Sequence, residues 1–245
     1  MVKLKLADEI SVSLNHELKC NPINGIIPEE NIVLKAARIL KECCEVPKNV
    51  GASITIKKNI PIGAGLGGGS ADAATTLKLL VRLWKIDISD KELSQIAKKI
   101  GVDVVFCMQD SNAFVEGIGE KLTPMTLNKK IPILLVNPKF PVSTIEVYKR
   151  SVENFTQPIS SNSEDITNAI YHGKNDLEIP AKSINSKITH VLNLIKDQEG
   201  CRLARMSGSG ATCFGIFQTA EQAKKAYKNI KANSDYWLYF ENVSI

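Results

Sequence analysis

Much that would announce a function is missing from this sequence. No stretch approaches the roughly 18 apolar residues needed to span a bilayer, and the amino-terminal MVKLKLADEISVS has no apolar core of the kind a secretion signal carries. The six cysteines, Cys20, Cys43, Cys44, Cys107, Cys201 and Cys213, show no C-x-x-C spacing and no neighbouring histidine pair. A zinc site and a dense disulfide framework are therefore not expected, and a reducing, cytoplasmic setting is. The three histidines, His16, His172 and His190, form neither a triad nor a ligand spacing. Aromatic residues are scarce, and the basic residues fall in scattered pairs such as Lys57-Lys58, Lys98-Lys99 and Lys129-Lys130 that read as solvated surface. Without a basic stripe interleaved with aromatics, nucleic acid is not expected as a partner, and neither is a membrane.

What is present is an ordinary globular composition: 245 residues, 44% apolar and 23% charged. That length fits one large domain or two small ones. Lys and Arg exceed Asp and Glu by 31 to 26, a mild positive balance that suits a small anionic ligand. PEENIVLKAARILKECC, from residue 28, opens with Pro and acids and places Val33, Ala36, Ala37, Leu40 and Cys44 on one stripe, which predicts a helix. ASITIKK, 52 to 58, alternates Ile54 and Ile56 with polar neighbours, as a half-buried strand does. The spacing of Ala71, Ala74, Leu77, Leu80 and Trp84 predicts a helix over 70–84. Ser89 and Glu92 then stand in capping-box spacing ahead of Leu93, Ile96, Ala97 and Ile100, with Gly101 as the stop.

Beyond Thr126 the pattern changes. IPILLVN, 131 to 137, predicts a buried strand, STIEVYKRSVEN a helix and TQPISSNSED an exposed loop. A helix over 183–196, strand CRLARM, turn SGSG, strand TCFGIF, helix over 219–231 and strand YWLYFENV complete a second small α/β layer.

Between the strand at 52–58 and the helix after it lies PIGAGLGGGSADAA, residues 61 to 74, with five glycines in seven positions. Glycines ahead of a helix let backbone approach a ligand closely, while the first N–H groups and the positive helix end favour an anion such as phosphate. Gly63, Gly65 and Gly68 satisfy G-x-G-x-x-G, but the acidic residue expected about 20 positions on, Asp87 or Asp90, ends no recognisable second parallel strand. Residues 63 to 70 would satisfy G-x-x-x-x-G-K-[ST] except that Gly69 replaces the lysine. A lysine-free phosphate cradle remains, with a flexible turn as the plainer alternative.

This run closely resembles the nucleotide-binding signature of the GHMP kinase superfamily, in the form found among members that act in non-mevalonate isoprenoid synthesis. GVDVVFCMQDSNAFVEGIGEKLTP, 101 to 124, resembles the segment around that family's catalytic aspartate. ARMSGSGATCFGIF, 204 to 217, resembles its third, glycine-rich motif, and ENIVLKAARIL and NDLE (175 to 178) also fit. The resemblance implies an α+β fold: an amino-terminal domain like ribosomal protein S5 domain 2 over 1–127, and a ferredoxin-like domain over 128–245. It implies ATP and Mg²⁺, a small-molecule alcohol substrate containing cytosine, and no dedicated metal cage. The backbone of Pro61, Ile62, Gly63, Ala64, Gly65, Leu66, Gly67, Gly68, Gly69, Ser70 and Ala71 would wrap the ATP phosphates.

The same resemblance makes Asp103 the base that takes the proton from the attacking hydroxyl, although an Asp two residues past a helix stop is ordinarily a turn or cap residue. Asn31 would contact the nucleotide, or be a polar residue of a helix first turn. Ser70 would reach phosphate or Mg²⁺ and could equally be an N-cap. Asp72 is expected in a first helical turn with no chemical role. Gly208, Ser209 and Gly210 are a hairpin turn or face the site. One departure stands out: the family's opening P-A-K-I-N-L strand and G-Y-H element, whose lysine assists the aspartate and whose Tyr and His hold cytosine, do not occur in this sequence. Met1 to Ser13 resembles the strand that follows them, so roughly forty residues are expected to be missing, the length a hairpin and its return strand need. A nucleotide-binding protein impaired in catalysis is the alternative function. Nothing in the sequence signals an oligomeric state.

Overall fold

The computed structural model describes residues 1–126, 130–151, 156 and 170–244. The end of the helix expected over STIEVYKRSVEN and nearly all of TQPISSNSED lie outside the described residues. Contacts divide the chain into two compact units, each assembled from separated pieces. The first contains Met1, Ala7–Ile60 and Gly67–Pro124; the second contains Val2–Leu6, Pro61–Leu66 and Met125–Ile245.

In the first unit, strand β1 (Glu9–Asn15) runs antiparallel to β3 (Gly51–Lys57), and the short β2 (Leu18–Cys20) pairs in parallel with the other edge of β3. Helix α1 spans Ile32–Cys43, beginning later than the sequence pattern suggests. Pro28–Glu30 form a separate 3-10 turn, and the Asn31 side chain starts α1 by accepting the Val33 N–H at 2.9 Å. Helix α2 (Gly68–Leu83) starts inside the glycine run, and α3 (Asp90–Ile100) has both halves of its Ser89–Glu92 capping box. The stripes of these helices bury Leu40, Leu77, Leu80 and Ile96 with Ile54 and Ile56 of β3. A seven-residue helix α4 (Val102–Met108) and a hairpin of β4 (Ala113–Glu116) and β5 (Lys121–Pro124) follow, too short for periodicity to reveal. Helix α4 packs on α2 and α3.

In the second unit, β6 (Lys130–Asn137), β7 (Cys201–Met206), β8 (Cys213–Phe217) and β9 (Trp237–Ser244) form an antiparallel sheet in the order β7-β8-β6-β9. Helices lie between β6 and β7: α5 (Thr144–Lys149), α6 (Glu178–Ile184) and α7 (Lys187–Lys196). Helix α8 (Ala220–Asn233) lies between β8 and β9, which makes the topology ferredoxin-like and the chain α+β. The single helix expected over 183–196 is broken at Asn185 and Ser186. The Asn185 side chain accepts the Lys187 N–H at 3.0 Å, the kind of local bond that competes with continuing a helix. Leu134, Val136, Ile188, Val191, Ile195, Ala226 and Ile230 share the main core of this unit. Ile131, Ile216 and Val243 form a second cluster with Val2 and Leu4 against it, which is why β6 reads as a continuous apolar run.

Candidate functional site

The glycine run changes unit part-way along. Its first half, Pro61–Leu66, belongs to the second unit. The Gly65 carbonyl accepts the Ser207 hydroxyl at 2.8 Å, and the Ala64 carbonyl accepts the Thr212 N–H at 3.2 Å. Gly65 has φ +69°, and a Cβ there would lie 2.3 Å from the Ser207 carbonyl oxygen and 2.7 Å from that of Gly210. Glycine is required at 65 on both counts. Left-handed backbone recurs at Gly63 and Gly67, and the alternation of handedness is the pattern that builds anion-binding concavities. At those two positions an added Cβ would meet nothing within 4 Å.

The partner segment is a six-residue connection, 207 to 212, rather than a tight SGSG turn. It joins the paired ends Met206 and Cys213 of β7 and β8 and is closed by the Ser207 N–H donating to the Thr212 carbonyl at 2.9 Å. Ser209 shares a hydrogen bond with the Thr144 hydroxyl at 2.8 Å, and the Thr212 hydroxyl accepts from the Asn137 amide at 2.8 Å.

The second half of the run opens α2 in the first unit. Gly67, at φ 69°, is the N-cap, and the first helical bond runs from the Ala71 N–H to the Gly67 carbonyl at 2.9 Å. The N–H groups of Gly68, Gly69 and Ser70 therefore have no intrahelical acceptor. Ser70 is the third residue of the helix and not its cap, because the left-handed Gly67 has taken that position. A Cβ on Gly68 would lie 3.0 Å from Ile60, and one on Gly69 would lie 3.5 Å from Ile32, so α1 begins beside this helix end. Asn31 is buried there with its side-chain oxygen engaged as the α1 cap, one position before the first turn. Asp103 stands exposed in the first turn of α4, not in a turn beyond α3.

Two side chains passed over in the sequence flank the run. Lys58 reads as surface beside Lys57, yet its ammonium lies 2.5 Å from Asp8 and 2.8 Å from Asp72 with only 17% of its side chain exposed. The signal was available: the alternation that buries Ile54 and Ile56 puts Lys58 on the same inward face. Asp72 sits one turn into α2 and is buried, not in the first turn of an exposed helix. Asp8 also accepts the Asn59 and Ile60 N–H groups at 2.6 and 2.9 Å. One cluster thus ties the strand leading into the run to the helix leading out of it. Burial pushes the Asp72 carboxyl up to about 6 against the pull of Lys58, and the Asp8 charge adds to the rise. Burial works in the same sense on Asp8, but the Ile60 N–H, Lys58 and the Asn59 N–H together hold it below the ordinary value.

Residues 31–111 match the family of GHMP kinases N terminal domains, and 146–235 match GHMP kinases C terminal. A 4-diphosphocytidyl-2-C-methyl-D-erythritol kinase of Chelativorans sp. (strain BNC1) is 41% identical over 220 residues, which is 88% of this chain and 75% of that protein. The chain belongs to the GHMP kinase family. The equally named protein of Paramagnetospirillum magneticum (strain ATCC 700264 / AMB-1) is 40% identical over 88% of this chain and 77% of its own length. A crystal structure of 4-(cytidine 5'-diphospho)-2C-methyl-D-erythritol kinase aligns with a TM-score of 0.77 at 30% identity, covering 96% of this chain and 86% of that one. Methanococcus jannaschii mevalonate kinase, at 15% identity and a TM-score of 0.66 over 97% and 89% of the two chains, shares the fold. The GHMP amino-terminal match opens on the Asn31 cap and takes in the glycine run and Asp103, and the carboxyl-terminal match takes in the 207–212 connection.

Two outcomes follow for stability. Gly63→Ala meets open space and should cost only its left-handed backbone, about 1–2 kcal/mol. Gly65→Ala adds collisions with fixed carbonyls and should lower the urea midpoint clearly further; equal midpoints for the two variants would contradict the packing described. Because the folded-state value of Asp72 lies above the ordinary carboxyl value of 3.8, the native chain binds the extra proton between those limits. Its contribution to stability is therefore greatest below about pH 4 and is lost as pH rises through about 6. Subtracting the urea midpoints of Asp72→Asn from those of the wild type, between pH 4 and 7, should reveal that fall.

Proposed function

We propose that this chain is an ATP-dependent kinase that phosphorylates the 2-hydroxyl of 4-diphosphocytidyl-2-C-methyl-D-erythritol, a step of non-mevalonate isoprenoid precursor synthesis. The observation that carries the proposal is the 41% identity to a kinase of that name across three quarters of its length. The geometry supports it: left-handed Gly63, Gly65 and Gly67, with the Ala64 and Gly65 carbonyls engaged, lead into a helix end with three N–H groups lacking intrahelical acceptors.

Phosphoryl transfer asks mainly for positioning and charge neutralisation. The backbone of 61 to 71 binds the ATP phosphates through N–H donors, and α2 adds the positive end of its dipole. Asp103, exposed to incoming substrate, accepts the proton of the substrate hydroxyl as its oxygen attacks the γ-phosphorus. The bond to the bridging oxygen breaks and ADP leaves with those electrons. Asn31, whose oxygen caps α1, would contact the nucleotide through its remaining amide group.

Among the described residues no group of three or more His, Cys, Asp or Glu could hold a metal ion. The proposal has Mg²⁺ delivered with ATP, an ion that keeps waters and phosphate oxygens and needs few protein donors. Ser70, in the first turn of α2, would be one of them. When bound, Mg²⁺ would neutralise the charge developing on the phosphate oxygens. A cytoplasmic setting goes with this reading. No helix among the described residues is long and apolar enough to cross a membrane.

Coupled assay of the purified chain should show ADP release that requires the diphosphocytidyl substrate. ATP binding without transfer would favour the catalytically impaired alternative, and absence of ATP binding would overturn both. Asp103→Asn should retain ATP affinity while kcat falls by about 10² to 10⁴, the usual contribution of a positioned base; unchanged turnover would remove Asp103 from the mechanism.

A further inference from the structure

The NDLE segment, 175 to 178, takes no part in the chemistry above, yet it meets the connection that holds the glycine run. The Asn175 side-chain amide donates to the Met206 carbonyl at 2.9 Å and to the Gly208 carbonyl at 2.8 Å, the two carbonyls on either side of Ser207. Its side-chain oxygen accepts the Leu177 N–H at 3.1 Å. Glu178 completes the grip by accepting the Met206 N–H at 3.0 Å while its other oxygen pairs with Lys182. Ser207, fixed in this way, donates a hydrogen bond from its hydroxyl to the Gly65 carbonyl at 2.8 Å.

We infer that Asn175 is a positioning residue for ATP binding, which sets the phosphate loop through Ser207 although it touches neither loop nor nucleotide. The inference rests on reading 61 to 71 as the nucleotide cradle. The β7–β8 connection does not need Asn175 to stay closed, since strand pairing at Met206 and Cys213 and the Ser207–Thr212 backbone bond already close it. What the amide adds is direction. With both carbonyls held, the peptide planes that follow Met206 and Gly208 are restrained, and the Ser207 hydroxyl stays aimed at Gly65. Released, Ser207 would free the Gly65 carbonyl to turn among the N–H donors, where its negative end opposes phosphate.

Asn175→Asp separates this role from a merely structural one. The carboxylate has the same shape and still accepts the Leu177 N–H, but it cannot donate and sets its charge against two carbonyl oxygens. The ATP dissociation constant, measured by calorimetry, should rise about tenfold, as expected for two hydrogen bonds of ordinary worth. KM for ATP should rise in step, with kcat within about twofold of wild type. Amide exchange in the nucleotide-free chain should quicken over 61–66 and remain unchanged over α3. Ser207→Ala, which removes the next link, should reproduce the loss of affinity, and the double variant should be no weaker than the weaker single. ATP affinity within twofold of wild type together with unchanged exchange in Asn175→Asp would overturn the inference, and additive losses in the double variant would overturn the route through Ser207. Should Asn175→Asp fail to fold, unchanged affinity in Ser207→Ala alone would suffice to reject it. A wild-type chain that binds no ATP would defeat the nucleotide reading and this role with it, while the exchange data would still tell whether Asn175 orders the loop.

Discussion

A glycine run proposed to hold phosphate without a lysine of its own can offer an anion only backbone N–H groups, and these are useful only where the carbonyls between them are held elsewhere. The bond from the Ser207 hydroxyl to the Gly65 carbonyl, with that from the Thr212 N–H to Ala64, meets this requirement. Much of the surrounding structure is explained by it. Gly65 must be left-handed and bare to come within reach of the 207–212 connection. The connection must have six residues rather than two, and its remaining polar side chains are tied back to Thr144 and Asn137 so that its shape is fixed. None of these bonds is worth more than about 1 kcal/mol net, so their effect lies in restricting directions more than in adding stability.

Charge follows the same logic on the other side of the run. Lys58 is the cation nearest the loop in sequence, but two carboxylates hold it. A partly buried ammonium between Asp8 and Asp72 leaves one surplus negative charge when both acids are ionised, and this is relieved by the raised value at Asp72. Such clusters contribute little net stability but tolerate few alternative arrangements, which suits the stems of a loop that must keep one conformation. In the proposed nucleotide site, positive potential for the phosphates would then come from the α2 end and from Mg²⁺ carried with ATP.

Legibility in the sequence varied with the length scale of the signal. The long helices, the apolar strand β6 and the capping box of α3 followed from periodicity and capping chemistry, because each has enough residues for a pattern to repeat. Helix α4, the β4–β5 hairpin and α6 carried too few. The glycine run and Asp103 were visible as motifs, but the start of α2 was displaced because a left-handed Gly67 capped the helix before Ser70 could. Lys58 and Asp72 were misplaced for different reasons. The strand alternation turns Lys58 inward two residues past Ile56, where no apolar residue marks the face, and the cluster around Asp72 includes Asp8, 64 positions earlier. Bonds such as that from Asn175 to Met206 and Gly208 join residues whose types alone carry no pairing signal.

The hydroxyl that holds Gly65 lies 142 residues further along the chain. During synthesis at about 5–20 residues per second, the first half of the glycine run therefore emerges roughly 7 to 30 s before its partner exists. Over that interval β3 and α2 can pack in their own core, while the six residues between Ile60 and Gly67 have carbonyls with nothing but water to bind. If the run is the proposed nucleotide cradle, its affinity is a late acquisition of the nascent chain, gained when β7 and β8 have paired and the 207–212 connection has closed.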